Sequence, residues 1–244
     1  MRANIAKSRA DLGYFQTLRS DAYFTQAGDD SLGMIYDLEP DSRRMIVAFA
    51  ALPGENLDVR PFAFHTMMAE IDVKAAFLRD HLEAWYHRGV VGVGDTIDAV
   101  AEFLRDFVRS AEETVMIGGS SGGYAALLFG SLLDREVHAF MPQTFIDPEL
   151  RRLHKDNRFW REFEKLPPHI DPRYADLRPV VAGSRAQVHV YYGTGHPLDR
   201  LHAERLGDLD NVTLHGFEWD THLLLRELRD RGWLAPFLER LARG

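Results

Sequence analysis

Short apolar runs alternate with amphipathic or charged stretches along most of this chain. Residues 45–51 (MIVAFAA) are continuously apolar and are closed by Pro53-Gly54. A run without alternation suits a strand covered on both faces, as in a helix-flanked parallel sheet. Similar short runs recur at residues 73–78, 114–117, 137–141, 188–192 and 212–217. Helical patterns separate several of them. The clearest spans residues 95–110, where Ile97, Val100, Ala101, Leu104, Phe107 and Val108 share one 3.6-period face. Strands alternating with helices imply right-handed crossovers, so the predicted class is α/β: a doubly wound, mostly parallel sheet with helices on both faces. Residues 21–26 and 33–38 flank the turn-forming Gly28-Asp29-Asp30-Ser31 and predict an antiparallel hairpin at the N-terminal edge.

One segment breaks the rhythm. Residues 147–178 are strongly charged and lie between two predicted strands. Phe159, Trp160 and Phe163 give the segment a partial helical face, and Pro167-Pro168 ends that helix. We read it as a small helical cap or lid inserted over the C-terminal edge of the sheet; the plainer alternative is a long surface crossover. No repeat, low-complexity tract or Gly/Ser linker marks a second domain, so residues 1–244 read as a single domain.

Composition narrows the function. Lys and Arg number 29 against 37 Asp and Glu, a net charge of −8 without a basic block, which argues against a nucleic-acid partner. With no cysteine, disulfides, thiolate nucleophiles, Fe–S clusters and Cys-based zinc sites are excluded. The longest apolar run, Met45 to Leu52, is far short of the about 20 residues a bilayer span needs. The N-terminal MRANIAKSRADLGYF has no apolar core of a signal peptide, so the expected compartment is the cytoplasm, with no membrane partner.

The most informative stretch is TVMIGGSSGGYAALLFG, residues 114–130: buried strand, glycine-rich turn, then a helix apolar nearly all round. It fits G-x-S-x-G centred on Ser120. A nucleophile on so tight a strand-to-helix turn adopts a strained backbone, and side chains two residues before and after it would collide. The helix N-terminus behind it offers donors and a positive dipole end to a developing oxyanion. A register centred on Ser121 also matches; Ser120 is preferred because Ser-x-Gly-Gly and Tyr-Ala-Ala then follow. The alternative is a glycine-rich loop that only lets helix and strand pack closely or holds a phosphate.

From about Met45 to the C-terminus the chain resembles the α/β-hydrolase superfamily, on the strength of this mid-chain elbow. The resemblance implies the chain order nucleophile, acid, histidine. His222, in Trp219-Asp220-Thr221-His222 after the last predicted strand and before an amphipathic C-terminal helix, matches the general base. The acid is then sought after the preceding strand, where Asp199 is the only carboxylate of Gly193-Thr194-Gly195-His196-Pro197-Leu198-Asp199. Many members of the superfamily place the acid three residues after the strand-ending glycine, a position held here by His196. Asp199 sits three residues further on, beside a predicted helix at 200–206 that it could simply cap. The implied oxyanion hole uses the Ser121 N–H and one from Ala51 or Leu52; Pro53 has no N–H.

Asp80 with Tyr86, in FLRDHLEAWYHRG, and Gln143, in FMPQTFID, follow strands that end on the same rim, where doubly wound sheets bind ligands. They are candidates for holding a polar substrate such as a sugar hydroxyl, or equally for capping helices and tying loops. Both phrases are similar to those of bacterial α/β-hydrolase-like domains associated with surface polysaccharides.

Gly89-x-x-Gly92-x-Gly94 has the wrong spacing and no preceding strand for a dinucleotide site. His196-x-x-Asp199-x-x-His202 scatters around a helix, so no metal and no organic cofactor is expected. The expected activity is a serine hydrolase acting on an acyl or acetyl ester, with a small-molecule or glycan ester as partner. The same residues serve an acyltransferase, and a non-catalytic ligand-binding domain is the rival of another class.

Overall fold

The structure, a computed structural model, describes residues 31–52 and 62–244. Its elements, in chain order, are β1 (Met34–Asp37), β2 (Arg44–Phe49), α1 (His65–Met68), β3 (Lys74–Leu78), α2 (Ile97–Phe107), β4 (Glu113–Gly119), α3 (Ser121–Leu133), β5 (Glu136–Phe140), α4 (Pro148–Leu153), α5 (Trp160–Lys165), α6 (Arg178–Ala182), β6 (Val188–Gly193), α7 (Pro197–Glu204), β7 (Val212–Phe217), α8 (Leu224–Asp230) and α9 (Leu234–Arg243). The seven strands form one sheet in the order β1-β3-β2-β4-β5-β6-β7. Only β1 is antiparallel, paired with β3 in the register Met34 to Leu78. The first arm of the expected hairpin, residues 21–26, lies outside the described residues; its second arm is β1, whose described partner is β3.

The apolar runs are explained by burial on both faces. Met45, Val47 and Phe49 of β2 enter a core with α2 and α3, whereas Ile46 and Ala48 enter one with α8 and α9. Every position predicted for the apolar face of α2 is buried, and Thr96 caps that helix by accepting from Ala99 N–H at 3.1 Å. Helix α3 is buried from Ser121 to Ser131, which is why it is apolar all round.

Two boundaries differ from the sequence reading. Helix α7 begins at Pro197, three residues early, because proline suits a first helical position and the His196 ring accepts from Asp199 N–H at 3.2 Å. Asp199 therefore lies inside the first turn. The single C-terminal helix is two helices, broken where Gly232 takes φ 71°.

After β2 the chain adds β3 on one side, then returns to place β4 on the other. The C-terminal ends of β2 and β4 thus flank the point where winding reverses, the customary ligand position in such sheets. Residues 147–178 carry α4 and α5 above this rim, and their far end pairs back to Phe145 through an isolated bridge at Asp176.

Two buried histidines set an acid limit on this fold. His87 donates from Nε2 to Tyr124 Oη at 2.8 Å and accepts at Nδ1 from Asp171 N–H at 2.9 Å. His202 accepts at Nδ1 from Thr144 N–H at 2.9 Å. Burial pushes both down to about 4. Unfolded histidines titrate near about 6.5, so as pH falls from 6.5 toward 4 the unfolded chain binds protons that the native chain refuses. Stability is expected to fall through that window by up to about 3 kcal/mol per histidine and to level off below it. Urea unfolding midpoints measured from pH 7 to 4.5 test this; a flat profile contradicts it.

Candidate active site

The turn after β4 is as tight as its glycines require. Ser120 takes φ 52° and ψ −120°, a positive-φ conformation outside the left-handed helical region and unusual for a residue with a side chain. Its N–H donates to Phe140 O at 2.9 Å and its carbonyl accepts from Tyr124 N–H at 3.0 Å, so strand β5 and helix α3 hold the turn from both sides. A Cβ on Gly118 would lie 2.1 Å from Gly122 O, and one on Gly122 would lie 2.2 Å from Phe49 O. Both positions therefore exclude any side chain, and the end of β2 packs directly on the turn.

The strained geometry projects Ser120 Oγ toward His222, in the loop between β7 and α8, with 3.1 Å to Nε2. His222 Nδ1 lies 2.8 and 2.9 Å from the two oxygens of Asp199. With Nδ1–H donating to the carboxylate, Nε2 is left to accept the serine proton. Ser121 is different: it is buried, and its hydroxyl accepts from Leu52 N–H at 2.8 Å. Of the two serines that fit the motif, Ser120 is the one with a histidine within hydrogen-bond distance.

Asp199 is fully buried and carries more partners than a helix cap would. Arg158, from the segment over the rim, donates to its Oδ1 at 2.8 Å, and His196 Nδ1 lies 3.3 Å from Oδ2. Burial raises the acid; the hydrogen bond from His222 and the charges of His222, Arg158 and His196 outweigh it and hold the carboxyl below its ordinary range. Arg158 is itself braced by Asp156, through Nε at 3.0 Å and Nη2 at 2.9 Å. Asp156 in turn meets His202 Nε2 at 3.0 Å. Despite burial, the bonds from His202 and Arg158 hold Asp156 far below the usual carboxylate value. Neither Asp156 nor Arg158 was singled out in the sequence, whose only signal was a dense charge pattern in a segment expected over the rim.

Gln143 reaches the same point. Its Nε2 donates to Ser120 Oγ at 3.1 Å, and its Oε1 accepts from Trp85 Nε1 at 3.1 Å. Trp85 packs on Phe163 at 4.2 Å between ring centroids, and Phe159 lies 6.3 Å from the His222 ring, so the overlying segment walls the site with aromatics.

Three expected positions need correction. Asp80 does not face a ligand; its carboxylate accepts from the backbone N–H groups of Leu82, Ala84 and Tyr86 at 3.0, 2.6 and 2.9 Å. Those bonds hold a loop in which Glu83, Trp85 and Tyr86 all have positive φ. Burial raises Asp80, and the three backbone donors only partly offset it. Tyr86 is fully buried, with its hydroxyl on the carbonyls of Ala50 and Leu78 at 2.9 and 3.2 Å. Leu52 cannot offer its N–H to a substrate while Ser121 Oγ holds it, so Ala51 and Ser121 remain as backbone candidates for an oxyanion. Ser121 opens α3, and first-turn N–H groups have no acceptor within their own helix.

The fold is that of the α/β-hydrolases. The serogroup A capsule O-acetyltransferase of Neisseria meningitidis has a similar structure, with TM-score 0.58 and 13% identity over 83% of this chain and 90% of that one. A fluorophosphonate-binding serine hydrolase of Staphylococcus aureus matches at TM-score 0.54 and 10% identity, covering 79% and 82%. An esterase of Thermogutta terrifontis matches at TM-score 0.50 and 18% identity, covering 81% and 86%. No protein-family model matches the sequence, and no curated protein does. Among the described residues no helix is long and apolar enough to cross a membrane.

The elbow makes a direct prediction. Gly122→Ala forces a Cβ against the Phe49 carbonyl, and overpacking of that kind costs about 1–3 kcal/mol. The variant should unfold at a clearly lower urea midpoint than wild type; an unchanged midpoint would mean that β2 can move away from the turn.

Proposed function

We propose that this chain is a serine-dependent enzyme acting on carboxylic esters, with Ser120 as nucleophile, His222 as general base and acid, and Asp199 as the residue that orients and supports His222. The observation that carries the reading is the unbroken line Ser120 Oγ, His222 Nε2, His222 Nδ1, Asp199, with links of 3.1 and 2.8 Å, mounted on a strained strand-to-helix turn.

In this mechanism Ser120 Oγ attacks the acyl carbon as its proton passes to His222 Nε2. The buried negative charge of Asp199 stabilises the imidazolium that forms. The oxyanion lies toward the Ser121 N–H at the positive end of α3. Collapse of the tetrahedral adduct expels the alcohol, which takes the proton from His222 and leaves an acyl-enzyme. A second hydroxyl, from water, then adds by the same route in reverse. Gln143, donating to Ser120 Oγ, occupies one lone pair and so favours turning the hydroxyl proton toward His222.

The proposed substrate is an acyl or acetyl ester on a polar, glycan-type alcohol. If that second hydroxyl belongs to a sugar rather than to water, the same steps make the chain an acyltransferase. The likeness to a capsule O-acetyltransferase supports this second reading alongside hydrolysis.

Kinetics on an activated acetyl ester test the reading. Ser120→Ala should reduce turnover to background in a protein that still folds, and background-level turnover by the wild type under all acyl groups tried would contradict it. Asp199→Asn should lower kcat by roughly two to four orders of magnitude. Arg158 has a separate signature. Its charge helps keep Asp199 ionised, so in Arg158→Gln the carboxyl takes up its proton at higher pH. The acid limb of kcat/KM should then move upward in pH; an unmoved limb would leave Arg158 a purely structural tie.

A further inference from the structure

A second cluster of titratable side chains lies away from the serine site, on the sheet face covered by α9. Glu136 and His138 are two apart on β5 and so point to the same face, and the parallel register sets His189 of β6 directly beside His138. The rings of His138 and His189 are 4.8 Å apart between centroids and nearly parallel, at 14°. One ligand atom from each of Glu136, His138 and His189 can be chosen so that all three lie within 4.8 Å of one another.

The atoms behind these three are already held. His138 Nδ1 meets Tyr191 Oη at 2.9 Å, and His189 Nδ1 meets His215 Nε2 at 3.2 Å. Both Nε2 atoms are therefore the ones turned away from an outer partner, and His138 Nε2 lies 2.9 Å from Glu136 Oε1. Arg44 approaches the other carboxylate oxygen, Oε2, at 3.8 Å, which keeps Oε1 toward the histidines. Metal-binding imidazoles characteristically have their second nitrogen fixed in this way. His138 is buried, with Phe237 of α9 packed edge-on at 5.3 Å, while Glu136 and His189 are half-open to solvent and leave an entry path.

We infer that Glu136, His138 and His189 form a zinc site that braces strands β5 and β6, with water as fourth ligand and His215 holding the second nitrogen of His189. Two imidazoles and a carboxylate suit zinc, whose bonds of about 2.0–2.2 Å place tetrahedral ligands roughly 3.3–3.5 Å apart. The three ligand atoms, now within 4.8 Å of one another, draw together to that value when the ion binds. On binding, the proton that His138 Nε2 shares with Glu136 moves to Nδ1, where Tyr191 Oη can accept it, so the ring stays neutral.

The test is calorimetric titration of Zn2+ into the full chain, stripped of metal beforehand. One ion per chain is expected, with a higher melting temperature when zinc is present. Glu136→Gln and His189→Gln should each weaken binding by at least tenfold. Tyr191→Phe, which touches only the second nitrogen of His138, should weaken it about 10–100-fold. His169→Gln, on the exposed surface, should leave it unchanged. No saturable binding by the wild type overturns the inference, and so does binding undiminished in both ligand variants. Should those variants fail to fold, Co2+ titrated into the wild type decides: intense visible bands of a low-coordinate ion support the site, and the weak bands of the hydrated ion overturn it.

Discussion

A carboxylate with no exposed surface has to be neutralised from within the protein, because an unpaired buried charge costs several kcal/mol or more. Asp199 meets this requirement from two directions at once: His222 from the loop after β7 and Arg158 from the segment over the rim. Each partner belongs to a different stretch of chain. Satisfying one charge therefore fixes the loop that carries His222, the first turn of α7 and the position of the overlying segment. The Arg158–Asp156–His202 chain extends the same network back to Thr144 beneath it. What looks from outside like a charged surface crossover is thus tied through its inner face to Asp199.

The other half of the site rests on backbone geometry. Ser120 keeps its positive φ because Phe140 O and Tyr124 N–H hold it on both sides, and because two glycines leave room for β2 and α3 to close around it. A second strained loop stands opposite. Asp80 organises residues 82–86, those residues present Trp85, Trp85 orients Gln143, and Gln143 donates to Ser120 Oγ. The serine hydroxyl is thereby positioned by two side chains, each fixed by a polar partner of its own. Such preorganisation lets a nucleophile and its base meet without rearrangement at the moment of reaction.

The fold was largely legible because burial on both faces writes itself into sequence as unbroken apolar runs, and because α2 shows its buried stripe at regular spacing. Ser120, His222 and Asp199 were legible as positions, since each follows a strand in the chain order of the superfamily that the elbow resembles. Asp199 keeps its displaced position beyond Gly193, the end of β6; with Pro197 at the first helical position, it reaches His222 from the first turn of α7. The sequence could not reveal Arg158, whose partner lies 41 residues away and depends on how residues 147–178 fold over the rim. Asp80 and Tyr86 were misplaced for a related reason. A polar residue at a strand end can face a ligand or its own backbone, and the three amides that capture Asp80 are available only once the loop has curled around it. The histidines of β5 and β6 carry no spacing signal, because adjacency in a sheet is set by register rather than by distance along the chain.

The measurement that bears most directly on the serine reading is labelling of the purified protein with a fluorophosphonate, followed by intact-mass analysis and peptide mapping. These reagents phosphonylate a serine only when a neighbouring base has activated it. The account predicts one adduct per chain, on Ser120, lost when His222 is replaced. An adduct on Ser121, or none on the folded wild-type protein, would contradict it.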